Sequence, residues 1–309
     1  MHLIVPFAAA TSEAGRHALH DLPLPQLERL LARLQPQPAD AADESTLSPP
    51  HERALARALG WTVDDGLLPW AARLARRSGA PESGDAWGLL TPLHLHVGTH
   101  QVSMIDPAAL QLDDAASREL LAAVRPLLDS EGFTLHYAGP LQWLATHAGF
   151  DGLATASLDR VIGRNIDPWL PGQPAARLVR RIQNEVQMLL YTHPINDRRE
   201  AACLPTVNSF WLSGCGRARP EAAETDEAPI VDDRLRTAAL GEDWVAWREA
   251  WQQLDAGPVA ALAKHDGPVT LTLCGERAAQ SFSTGSTSLW QRVASTWRRP
   301  AAHTILETL

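Results

Sequence analysis

The stretch NEVQMLLYTHPINDRREAACLPTVNSFWLSGCG, residues 184–216, gathers Asn, Glu, Gln, His, Arg and Gly around a short apolar core. It is entered through a helix. From Pro174 to about residue 192, Leu178, Ile182, Val186 and Leu189 share one face at helical spacing. Pro174 suits a first helical turn, and Pro194 disfavours helical backbone at His193. His193 projects onto the same face at the C-terminal end, where unpaired carbonyls favour a cationic or hydrogen-bonding group. A strand, TVNSFWL (206–212), and a glycine turn, SGCGR, follow. Two readings stay open. In one, the stretch is a structural joint, with His193 capping carbonyls and Asn196 bracing the turn by an Asx-type bond. In the other, His193, Asn196, Arg198 and Arg199 line a site for an anion, because a guanidinium fork bonds two oxygens of a phosphate or carboxylate at once. Asn208, inside an apolar strand, needs partners if buried and faces either the preceding turn or a ligand. Arg160 and Arg164, flanking Val-Ile-Gly, are candidates for the same site.

Working outward, LIVPFAA near the N-terminus reads as a buried strand, and LPLPQLERLLARL as a helix with Leu27, Leu30, Leu31 and Leu34 in register. Residues 35–50 are proline, alanine and acid, and 217–234 are acidic with proline; both read as mobile loops. HERALARALG and LLPWAARLARRSG read as helices closed by Gly60 and Gly79. AWGLLTPLHLHVGTH alternates with period two. Leu120, Val124, Leu127 and Leu128 form a helical stripe that Gly132 ends. FTLHYAG reads as a strand, PLQWLATHAG as a short helix, and GPVTLTLCGE as a late strand. Strands and helices alternate, which favours an α/β fold with a largely parallel sheet, one domain over 1–309.

Length permits a large core, and the composition, 45% apolar and 20% charged, is that of an ordinary globular chain. The net charge of −9 argues against non-specific nucleic-acid binding and against anionic membranes, not against a small anionic ligand held by local arginines. No apolar run approaches the roughly 20 residues of a membrane span. Cys203, Cys215 and Cys274 have no Cys-x-x-Cys spacing and read as reduced thiols of a cytoplasmic protein. The 11 Trp are many beside 5 Phe and 2 Tyr. Trp244, Trp247 and Trp251 share a helical face, as do Trp290 and Trp297; such faces either pack or dock another chain.

The run HPINDRREAACLPTVNSFWLSGCG (193–216) resembles the HPVN-x-x-R…G-x-x-x-AN…GxG segment of archaeal-type, cofactor-independent phosphoglycerate mutases of the alkaline-phosphatase superfamily. With RVIGRNIDPWLPG (160–172) ahead of it, the pattern looks more specifically like the RpfE-type regulatory proteins of bacteria. The resemblance is carried by residues 160–216. It implies a three-layer αβα, alkaline-phosphatase-like architecture with a largely parallel central sheet and room for a small inserted subdomain.

Active members of that superfamily hold two divalent cations, Mn or Zn, on Asp and His ligands and pass phosphoryl through Ser or Thr; the paired cations stabilise attacking and leaving oxygens. Here the first strand runs into Pro6 where the first acid is expected, and proline has no metal-binding side chain. The late strand offers Cys274 and Glu276 in place of an Asp-His pair. Ser48 is the positional candidate for the nucleophile. The expectation is therefore a phosphoglycerate-mutase-like protein of regulatory type, a pseudoenzyme needing no cofactor, that binds a small anionic ligand or a protein partner. The alternative is an active metal-dependent phosphomutase or phosphatase with relocated ligands. His94 and His96, on one face of a strand, with His100 and Asp106 are the candidate ligands for that case.

Overall fold

The computed structural model describes residues 1–99, 101–173, 175–221, 228–285 and 301–309. Two compact units divide the chain. Met1–Ser45, Pro49–Thr62 and Glu221–Leu309 make one; Thr46–Ser48 and Val63–Pro220 make the other. The first opens on β1 (His2–Val5), then α1 (Glu13–His20), whose N-cap Ser12 accepts from Gly15 N at 3.1 Å, and α2 (Pro25–Leu31), begun by proline. Residues 35–50 hold two short strands, β2 (Gln35–Pro36) and β3 (Asp40–Ala41), and the start of α3 (Pro50–Ala58).

The second unit runs through α4 (Trp70–Arg77), β4 (Trp87–Leu93), the hairpin β5 (Leu95–Val97) and β6 (Val102–Met104), then α5 (Asp114–Ser130), β7 (Thr134–Gly139) and β8 (Gln142–Thr146). It ends on α6 (Leu158–Val161), α7 (Ala175–Tyr191), α8 (Pro194–Ala201) and β9 (Ser209–Gly216). Its main sheet, in the order β7-β8-β4-β9, is antiparallel throughout. One face packs Leu90, Trp143 and Phe210 with Val124 and Leu128 of α5 and Ile182 and Val186 of α7. The other face sets Trp87 and Leu144 against Ala71, Ala72 and Ala75 of α4. The buried stripe of α7 is Val179, Ile182, Val186 and Leu190, with Leu178 and Leu189 at its margins.

PLQWLATHAG, expected as a short helix, supplies β8. Leu144 and Ala145 have helical propensity, but ladders to β7 on one side and β4 on the other outweigh it. Trp143 is buried among the α5 and α7 side chains, and its indole donates to Ser117 Oγ at 2.9 Å.

The chain returns to the first unit with β10 (Ile230–Val231), α9 (Arg236–Leu240), α10 (Trp244–Leu254) and α11 (Ala260–Lys264), then β11 (Thr270–Cys274), β12 (Ala278–Ser283) and α12 (Ala302–Leu306). Residues 222–227 of the acidic stretch lie outside the described residues, as do Trp290 and Trp297. The strand order is β10-β1-β11-β12-β2, with β3 also on β12. β10, β1 and β11 run parallel, whereas β12, β2 and β3 join antiparallel. The α/β class is as expected, but the sheets are not largely parallel: one is mixed and the other antiparallel. The tight return from β11 to β12 is a hairpin, and a parallel pair would require a long crossover.

Alternation along β1 sorts the layers of this unit. Leu3 and Val5 face Leu27 and Leu30 of α2 and Trp247 and Trp251 of α10, while Ile4 faces Ala54 of α3 beside Cys274 and Ala279. Helices therefore cover both faces of this sheet. Trp247 and Trp251 are wholly buried, and their indoles donate to Phe7 O at 3.0 Å and Ala8 O at 3.2 Å. They are core residues, not a docking face. Asp255, just past α10, is buried and caps α2, accepting from Gln26 N at 3.1 Å and Leu27 N at 2.7 Å; burial raises its pKa. Among the described residues no helix is long and apolar enough to cross a membrane.

Gly275, in the β11–β12 turn, has no room for a side chain: a Cβ there would lie 2.6 Å from the Leu309 carbonyl carbon. Leu309 O accepts from Ala278 N at 3.0 Å and Arg277 N at 3.3 Å, so the clash falls on a bonded backbone. Gly275→Ala is expected to lower stability by about 1–3 kcal/mol, read as a lower urea midpoint at unchanged slope.

His2 predicts a pH dependence. Its Nε2 lies 2.8 Å from Thr272 Oγ1, which lies 2.9 Å from Ser281 Oγ. Burial, helped by the N-terminal ammonium, lowers its pKa from 6.5 to about 4. The unfolded chain therefore binds the proton more readily between those values, so the contribution of His2 is complete above pH 6.5 and is lost as pH falls towards 4. Allowing for partial exposure, the loss is about 1–3 kcal/mol. Unfolding free energies measured from pH 7 to 4 should fall less steeply in His2→Gln than in the wild type.

Candidate functional site

Of the candidate metal ligands, His94, His96 and Asp106 lie within the described residues and form no metal-holding group there. His94, between β4 and β5, donates from Nδ1 to Thr206 O at 2.9 Å, with Thr206 Oγ1 at 3.1 Å. His96 sits in β5 opposite Ser103. Asp106 accepts from Ala108 N at 2.9 Å and caps the short turn Pro107–Leu110. His100 lies outside the described residues. Among the described residues no three His, Cys, Asp or Glu side chains are grouped to hold a metal ion.

The 193–208 segment is built mostly from internal bonds. Pro194 ends α7 but also begins α8, since proline is suited to a first turn. His193 is thereby the N-cap of α8, not a cap on α7: its Nδ1 accepts from Ile195 N at 3.3 Å. Asn196 is only 5% exposed. Its Nδ2 donates to Leu190 O and Val207 O, both at 2.8 Å, and its Oδ1 accepts from Val207 N at 2.9 Å. One amide thus ties the end of α7 to the chain entering β9. Asn208 does the same for Leu95, accepting from its N–H at 2.7 Å and donating to its carbonyl at 2.9 Å. Arg160 is buried and donates to Thr46 Oγ1 at 2.7 Å. Arg164 is half-buried and follows the left-handed turn at Gly163, φ 75°.

Arg198 and Arg199 reach a cleft of about 330 Å³ between α8 and the first turns of α5. Gln111, Asp113 and Glu119 supply its polar wall opposite the arginines, and Ala116, Ile195 and Leu204 contribute apolar surface. His193, Asn196, Asn208, Arg160 and Arg164 do not line it. Arg198 Nη2 donates to both oxygens of Glu119, at 2.6 and 2.7 Å. Arg199 is 6% exposed; Nε donates to Pro205 O at 2.8 Å, and Nη2 to Leu110 O. Burial lowers its pKa and the Asp113 charge opposes that shift. Asp113 caps α5 through Oδ1, which accepts from Ala116 N at 2.7 Å. Gln111, Asp113 and Glu119 escape a reading by sequence alone, because they precede the arginines by some 80 residues. Asp113 is at least recognisable locally as an N-cap ahead of an alanine run.

The carboxyl end of β1 is closed. Pro6 is followed by Phe7, which adopts φ 55° and sets its ring 5.5 Å from that of His51. The Phe7 and Ala8 carbonyls receive the two tryptophan indoles. Beside it, Cys274 ends β11 with no exposed surface, and burial raises its pKa strongly. Glu276 accepts from Thr11 Oγ1. In the other unit Ser48 is 2% exposed; its Oγ accepts from Gly66 N at 3.0 Å, and its N–H donates to Asp65 at 2.9 Å.

No protein-family model matches the chain, and no curated protein matches it. The solved structures it is similar to include the following two. The cofactor-independent phosphoglycerate mutase from Thermoplasma acidophilum shares 11% identity at a TM-score of 0.37, over 100% of this chain and 98% of that one. The PH0037 protein from Pyrococcus horikoshii shares 10% identity at a TM-score of 0.47, over 99% of this chain and 95% of that one. Identities and scores this low say nothing of chemistry.

Proposed function

We propose that this chain is a phosphoglycerate-mutase-like protein of the RpfE-type regulatory kind, which binds a ligand or partner and carries no working two-metal phosphotransfer centre. The observation that carries this reading is the end of β1. A two-metal phosphotransferase of this resemblance needs an acid there, and this chain places Pro6 and Phe7, with both following carbonyls fastened by tryptophan indoles. Cys274 supports it, because a thiol this buried with a raised pKa resists becoming the thiolate a metal requires. Ser48 supports it as well. A nucleophile needs an exposed oxygen, whereas this hydroxyl is buried and accepts a backbone N–H.

Purified protein supplied with Mn²⁺ or Zn²⁺ tests the reading. We expect no interconversion of 3- and 2-phosphoglycerate and no p-nitrophenyl phosphate hydrolysis above buffer. Turnover accompanied by two tightly held divalent ions per chain, counted by elemental analysis, would replace it with the active-enzyme reading.

A further inference from the structure

The cleft between α5 and α8 holds charges of both signs: Asp113 and Glu119 face Arg198 and Arg199. A bare anion there meets two carboxylates, and a bare cation meets two guanidiniums. A small molecule carrying both charges meets complementary groups at each end.

The individual atoms sharpen this. Glu119 and Arg198 neutralise each other through a double contact. Arg199 is anchored by Nε and Nη2 on two carbonyls, and its Nη1 makes no hydrogen bond among the described residues. A buried guanidinium held at two points is oriented in advance of any ligand. Asp113 uses Oδ1 to cap α5, and its Oδ2 makes no hydrogen bond among the described residues. The 17-residue α5 adds the N–H groups of Asp114 and Ala115, which make no hydrogen bond among the described residues, unlike that of Ala116, which Asp113 caps; Ala115 lines the cleft. Ala116, Ile195 and Leu204 give an apolar wall of modest size, and about 330 Å³ falls within the range of small-molecule sites.

We propose that this cleft binds a free α-amino acid with a small apolar side chain. The carboxylate meets Arg199 Nη1 and the first turn of α5, the ammonium meets Asp113 Oδ2, and the side chain lies against Ile195 and Leu204. The proposal rests on the reading of the chain as a binding protein and gives that reading a ligand class.

Titration calorimetry of the full chain with L-valine and L-leucine tests it, with leucinamide, 4-methylpentanoate and inorganic phosphate as probes lacking one charge. Saturable binding of an amino acid is expected, at least about tenfold weaker for leucinamide and for 4-methylpentanoate, with phosphate failing to compete. Asp113→Asn keeps the N-cap, since asparagine caps as well as aspartate. It should weaken amino-acid binding at least about tenfold while leaving the melting temperature in place. The proposal is overturned if neither amino acid binds saturably up to about 10 mM, or if phosphate competes and Asp113→Asn tightens it, which would mark a bare-anion site. The phosphotransfer assay is read separately: failure to bind amino acids without turnover removes only this proposal, whereas turnover removes the binding-protein reading itself.

Discussion

Asn196→Ala should lower the unfolding free energy by about 3–5 kcal/mol, enough to unfold a substantial fraction of a marginally stable unit. The side chain makes three bonds with the main chain in a place from which water is excluded: two donated, to Leu190 and Val207, and one accepted from Val207. Alanine orphans the N–H and carbonyl of Val207, while Leu190 O keeps its bond from His193 N at 3.2 Å; each orphan costs about 1–3 kcal/mol, partly relieved by local relaxation. Asn196→Asp is the informative companion. It keeps the shape and the acceptor but cannot donate to either carbonyl, so it should be no more stable than the alanine variant. Asp197→Ala, one residue on and exposed, should shift stability by no more than about 0.5 kcal/mol. Urea unfolding followed by circular dichroism measures all three. A loss below about 1 kcal/mol for Asn196→Ala would mean the joint is not made by this amide.

Trp251→Ala has a comparable expected effect, about 3–5 kcal/mol, for a different reason. The indole fills the first unit's core with no exposed surface, beside Trp247 in an edge-on contact with centroids 6.2 Å apart. Removing it leaves a cavity and deprives Ala8 O of its donor. Trp251→Phe separates the two contributions: it retains much of the volume and loses the N–H, so about 1–2 kcal/mol is expected. If the alanine and phenylalanine variants fall equally, the hydrogen bond dominates and the cavity closes.

The sequence disclosed elements whose information is local. LIVPFAA reads as a strand because its residues are apolar throughout, and β1 is buried on both faces. The stripe of α5 and the glycines after α3, α4 and α5 mark helices and their ends, and Gly60, Gly79 and Gly132 all adopt positive φ. Elsewhere the deciding term is tertiary. PLQWLATHAG has the composition of a helix, and only its two neighbouring strands make it β8. Pro194 was legible as a stop for α7, but the same ring is a good start for α8, and that second role moves His193 to the other helix. Asn196 and Asn208 were legible as residues that must be satisfied if buried. Whether a ligand or the chain's own carbonyls satisfied them depended on where residues 95 and 207 came to lie. The arginine fork is equally able to hold a phosphate or a backbone; for Arg199 two of its nitrogens hold the backbone. The acids of the cleft arrive from α5 and its approach, which no local pattern around 193–216 announces.

The first unit is assembled from both ends of the chain. β1 needs β10 and β11 beside it, yet those strands leave the ribosome more than two hundred residues later. The second unit is almost one continuous stretch and has every partner of its sheet by residue 216. During synthesis it can close while Leu3, Ile4 and Val5 remain without flanking strands. That interval, rather than the finished protein, is when this chain offers a chaperone its most aggregation-prone surface.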